Sequence, residues 1–64
     1  MITDDLPELS SMATAVGELS GRVERVAERY VDSPREDVAN RLFEVERALR
    51  RAERVLEQLV RDAH

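Results

Sequence analysis

Apolar residues recur along this chain at alternating steps of three and four. Leu9, Met12, Val16, Leu19, Val23, Val26 and Tyr30 form one series, and Val38, Leu42, Val45, Leu49, Ala52, Leu56, Leu59 and Ala63 form a second. Such spacing keeps apolar side chains on one stripe of an α-helix, and its persistence over several heptads is the coiled-coil and bundle signature. A strand would require alternation with period two, and none is present. The pattern predicts two helices, at about 7–31 and 34–62.

The ends of these helices carry their own signals. Asp5 or Leu6 is placed to flank the first helix, with Pro7 in its first turn, where a missing N–H costs nothing. Asp4, Asp5 and Glu8 sit at the positive end of the helix dipole. Ser33 is the expected N-cap of the second helix, Pro34 fits its first position, and Glu36 completes a Ser-x-x-Glu capping box. Proline also disfavours helical geometry at Ser33, so the first helix must stop near Val31. A connection this short, at Asp32–Arg35, favours an antiparallel pair. A dimer in which two chains open and exchange helices has the same signature. The expected fold class is therefore all-α. A two-helix antiparallel hairpin forms a single domain over 1–64, with a short disordered N-terminus at about 1–5.

The apolar face is wider than a two-stranded seam. With Val38 at heptad position d and Leu42 at a, Ala48 and Val55 fall at g, while Ala39 and Val60 fall at e. In the first helix, Leu6, Ala13, Ser20 and Ala27 occupy e. A face of three or four positions in seven belongs to a bundle helix with two neighbours. The hairpin provides one neighbour, so a second chain is expected to provide the other and to complete a four-helix bundle by dimerisation, or a higher oligomer. On this reading the a and d residues build the core between the two helices. Ala13, Gly17, Phe43, Ala48, Val55 and Val60 face the second chain. Gly17 lies in Leu9–Gly17, an uncharged stretch rich in small residues, which suits close helix approach. Phe43, at b, is the type of lone aromatic that anchors interfaces.

Size strengthens the case for association. For a chain of 64 residues, apolar burial and the ordering of the backbone and side chains each come to on the order of 95 kcal/mol, so the hairpin alone has no margin. Small domains in this position use disulfides, metals or oligomerisation. The chain has no Cys and a single His, His64, at its last position. Thiolate and imidazole metal sites and disulfides are thereby excluded, and His64 is either native or a purification-tag remnant.

Charge excludes further classes. The net charge is −4, and the basic residues are all arginines. Residues 1–21 carry Asp4, Asp5, Glu8 and Glu18 and no base, whereas acids and arginines balance beyond them. An acidic chain has no long-range attraction for nucleic acid or an anionic membrane. Arg47, Arg54 and Arg61 share position f beside Arg50 and Arg51, but Glu44, Glu46, Glu53 and Glu57 interleave, as on the solvated face of a bundle helix. A di-iron bundle would need Glu-x-x-His, a hydrolase would need a histidine among its groups, and Gly17 and Gly21 sit within a helix where no phosphate loop forms. The chain is thus expected to be no enzyme and to take no cofactor, metal or small-molecule ligand. It has neither a targeting segment nor a stretch long enough to span a bilayer, and the lack of Cys suits the cytoplasm. Its expected role is self-association through protein–protein contact. The alternative is a small regulatory or antitoxin-like subunit of a hetero-complex with another helical protein. The third reading is a nucleic-acid-associated accessory protein using the Arg stripe.

Overall fold

The computed structural model describes residues 2–63, and it is the antiparallel helical hairpin that the heptads predict. A single 3₁₀ turn, Ile2–Asp5, leads into α1, Leu6–Glu28, and α2 follows at Glu36–Ala63. That 3₁₀ turn stands where the sequence suggested a disordered start, and Met1 and His64 lie outside the described residues. Because the turn runs straight into α1, Asp5 adopts φ −96°, ψ −2°, and its side chain makes no capping hydrogen bond. A capping side chain works from extended backbone, which Asp5 does not have. Pro7 sits in the first turn as expected.

The first helix stops three residues before the predicted end. The N–H groups of Arg29 and Tyr30 donate to the carbonyls of Val26 and Ala27, 3.1 and 3.0 Å away. These are i→i−3 bonds, so the last turn tightens to 3₁₀ geometry and the α-helix ends at Glu28. Four residues on, Asp32 enters the left-handed region at φ 59° and turns the chain. Ser33 then braces the turn. Its Oγ donates to the Tyr30 carbonyl at 2.6 Å and accepts from the Arg35 N–H at 3.1 Å. The Glu36 carboxylate reaches back one residue farther than a capping box requires, accepting from the Asp32 N–H at 3.2 Å. Arg35 grips Asp37 with two 3.0 Å bonds, and these hydrogen bonds hold the Asp37 carboxyl below its usual range. A lowered carboxylate pKa stabilises above the ordinary carboxylate range and is lost as pH falls through the lowered value. Both groups are exposed, so the turn depends little on this pair.

The left-handed residue gives a direct prediction. A side chain at positive φ costs free energy that glycine avoids, and the Asp32 N–H keeps its Glu36 partner in either case. Asp32→Gly relieves that strain but adds unfolded-state entropy, so it should raise stability by no more than about 0.5 kcal/mol, read as a slightly higher urea midpoint, whereas Asp32→Val should lower it.

Packing between the helices differs from the expected core. Among the described residues the buried apolar side chains are three alanines, Ala13, Ala27 and Ala39, exposed by 7%, 0% and 1%. Ser20 and Glu46 are the buried polar residues. These five all occupy heptad position e. The helices therefore meet along a ladder of mostly small residues spaced by seven, Ala13, Ser20 and Ala27 on α1 against Ala39 and Glu46 on α2. Small side chains let two backbones approach closely. No large side chain is fully buried among the described residues. The hairpin is a rod, with Cα extents of 50 × 13 × 12 Å and a radius of gyration of 14.8 Å. A compact globule of this length would have a radius near 10.7 Å.

Candidate interaction face

Heptad geometry determines what lies on each side of the alanine seam. With position e at the contact, a and d lie to one side of each helix and b and f to the other. Because α1 and α2 run antiparallel, the a and d residues of both helices fall on the same face. The result is a broad apolar surface carrying Met12, Val16, Leu19 and Val23 from α1 and Leu42, Val45, Leu49, Leu56 and Leu59 from α2. Two of its central members, Leu19 and Val45, are 43% and 45% exposed. A shallow groove between the helices, lined by Leu19, Arg22, Val23, Val26 and Leu42, marks its turn end.

The reverse face is polar. Its groove is lined by Ser10, Ala13, Thr14, Glu53, Glu57, Val60 and Arg61. Hydroxyls and carboxylates meet here, but among the described residues no imidazole or thiol accompanies them to activate a nucleophile. No three of His, Cys, Asp and Glu converge as a metal site among the described residues. Farther along this side, Arg50 donates to Glu46 through Nε at 3.2 Å and Nη2 at 3.0 Å. It also reaches Glu24 of α1 at 3.9 Å. The hydrogen bonds to Glu46 raise the Arg50 pKa further above its ordinary value. Arg50 is thus compensated within the hairpin, which weakens the basic surface it forms with Arg47, Arg51 and Arg54. No helix is long and apolar enough to cross a membrane among the described residues.

The six residues read from the sequence as facing a second chain are divided by this arrangement. Ala13 lies in the seam, already covered by α2. Gly17 lies under the Glu53 side chain, and a Cβ there would meet that carboxylate. Val60 lines the polar groove. Phe43, at b, is half-buried on the polar side. Ala48 and Val55, at g, are exposed, Val55 by 56%; their heptad position borders the apolar face, and Ala48 also lines the basic surface of Arg47, Arg50, Arg51 and Arg54. Of the a and d residues expected between the two helices, the a residues Val16, Val23, Leu42, Leu49 and Leu56 are half-buried beside the seam, and the d residues Met12, Leu19, Val45 and Leu59 are exposed on the open face. The reason is steric. The e ladder is narrow enough to bring the backbones together, so the bulkier a and d side chains are displaced to one flank.

The seam also has a flaw. The Ser20 hydroxyl is buried and finds no hydrogen-bond partner. An unsatisfied buried hydroxyl costs about 1–3 kcal/mol, and alanine already fits the neighbouring rungs. Ser20→Ala should therefore raise stability by about 1 kcal/mol, measured by thermal unfolding at matched concentration.

No protein-family model, curated protein or solved structure matches this chain. A functional reading accordingly rests on the surface itself, and the apolar face is its dominant feature.

Proposed function

We propose that this chain is a non-enzymatic, self-associating helical hairpin that acts through protein–protein contact, with a second copy covering the apolar face to complete a four-helix bundle. One observation carries the reading: the hairpin fully buries only alanines among its described apolar residues and leaves Met12, Leu19, Val45 and Leu59 exposed on one side, beside half-buried Val16, Val23, Leu42, Leu49 and Leu56. Contiguous apolar patches of this kind mark interaction sites. The area agrees. The hairpin exposes 4901 Å², whereas a compact protein of its mass exposes about 4,200 Å². Two copies packed to the compactness usual for their joint mass would bury about 2,900 Å² in total, within the range of about 2,000–5,000 Å² for obligate homodimers. Ala48 and Val55 would lie at the edge of that interface. We place the protein in the cytoplasm on its lack of cysteine.

Unfolding that is coupled to dissociation depends on concentration. The midpoint of thermal unfolding should rise by several degrees across a hundredfold increase in protein concentration. A sharp melt with a fixed midpoint would mean that the single hairpin is the stable unit and would refute the proposal. A broad, weakly helical melt at every concentration would point to a different helical partner.

A further inference from the structure

The residues that border the apolar face carry an ordered charge pattern. Position g forms its outer edge on each helix. Along α1 this edge reads Glu8, Ala15, Arg22 and, just past the helix end, Arg29. Along α2 it reads Arg41, Ala48, Val55 and Asp62. All eight are exposed. The helices are antiparallel, so Glu8 and Asp62 lie at the open end of the hairpin, and Arg22, Arg29 and Arg41 lie toward the turn. The rim is acidic at one end, basic at the other, and small or apolar between.

Resting on the self-association proposed above, we infer that the second copy lies antiparallel to the first, with its turn over the open end of its partner. Two-fold symmetry allows two ways to stack these faces. If the turns lie together, α1 faces the second copy's α2 along each edge. Glu8 then meets the second copy's Asp62, and Arg29 meets its Arg41, so like charges are opposed at both ends. If the turns lie at opposite ends, each helix faces its own counterpart reversed. Glu8 then meets the second copy's Arg29, Arg41 meets its Asp62, and Ala48 meets its Val55. These pairings centre beside Leu19 and Ala52, which fall close to the two-fold axis. Both arrangements cover the same apolar residues, so apolar burial does not choose between them. The rim charges do, since like-charge juxtaposition disfavours one register and opposite charges favour the other.

The chain has no Cys, so a single introduced thiol can be labelled cleanly. Arg35 is suitable, being exposed in the turn with Asp37 as its ion-pair partner. A nitroxide on Arg35→Cys, with the labelled protein first weighed by sedimentation, reports the turn-to-turn distance by pulsed dipolar spectroscopy. The antiparallel arrangement predicts about 50 Å, because Arg35 lies about 16 residues from the point on α2, between Arg51 and Ala52, where the two-fold axis crosses, and each residue rises 1.5 Å. A dimer with a distance below about 25 Å would overturn the orientation and leave the self-association intact. A labelled chain of monomer mass would overturn both. A covalent test uses Ala15→Cys/Arg22→Cys. These positions are one heptad apart on one helix, about 10.5 Å, too far to bridge within a chain. Oxidation should yield a disulfide-linked dimer, and a dimer that stays unlinked would contradict the antiparallel register.

Discussion

Leu19→Asp is expected to convert a helical dimer into a poorly helical monomer. In the single hairpin Leu19 is 43% exposed, so an aspartate there would keep its carboxylate in water. The loss would be limited to the apolar area that Leu19 already buries, about 1 kcal/mol. In the proposed antiparallel four-helix bundle the same position would lie near the two-fold axis. Two carboxylates, one from each copy, would then be buried together with no cation between them. An uncompensated buried charge costs several kcal/mol, and each copy also loses the burial of a leucine, about 2 kcal/mol. The expected total exceeds about 4 kcal/mol, which weakens association by a factor of about 10³ or more. Sedimentation and circular dichroism measure both consequences. Arg47→Ala is the control: it changes an exposed outer position and should alter stability by less than about 0.5 kcal/mol. If Leu19→Asp behaves like Arg47→Ala, the apolar face is not covered.

Ala27→Leu has the second largest expected effect and probes the other side of the account. Ala27 is 0% exposed and stands in the seam just before the turn, where Ala39 of α2 is equally buried. A leucine there adds three carbon atoms where two backbones meet. The helices must separate, and Asp32 and Ser33 limit how far they can do so near the turn. Overpacking of this kind costs about 1–3 kcal/mol, or a drop of roughly 5–20 °C in melting temperature for a domain this small. Ala48→Leu, at an exposed position on the same helix as Ala39, should cost far less. A neutral Ala27→Leu would mean that the seam is not the close contact described, and that the a and d residues hold the helices together.

The helices and the turn were legible in the sequence because their causes are local. Heptad spacing requires only the geometry of one helix, and Ser33 followed by Pro34 locates the reversal without reference to anything distant. The small errors at the turn are local too. Once Asp32 adopts the left-handed conformation, its N–H points toward the Glu36 carboxylate, and the box closes on residue 32 in place of 33. What periodicity could not supply was the neighbour that each flank of a helix meets. It gives the angle between Leu19 and the stripe of Ala13, Ser20 and Ala27, but not which of the two points at α2. Bulk suggested that the large a and d residues face the nearer helix. The signal that says otherwise is the recurrence of small residues every seven positions, Ala13, Ser20 and Ala27, continued by Ala39 after the turn. Ala48 and Val55, read from the sequence as facing a second chain, are exposed because their g position points away from α1. Gly17 was singled out for its size, and its neighbour proved to be Glu53 of its own chain.

Every reading proposed for this chain turns on a second copy closing the apolar face. Sedimentation equilibrium over a wide concentration range, with helicity followed on the same samples, tests it most directly. The expected result is a mass twice that of the 7.3 kDa chain, with helix content that falls only where dilution produces monomer. A fully helical species of single-chain mass at every concentration would contradict it.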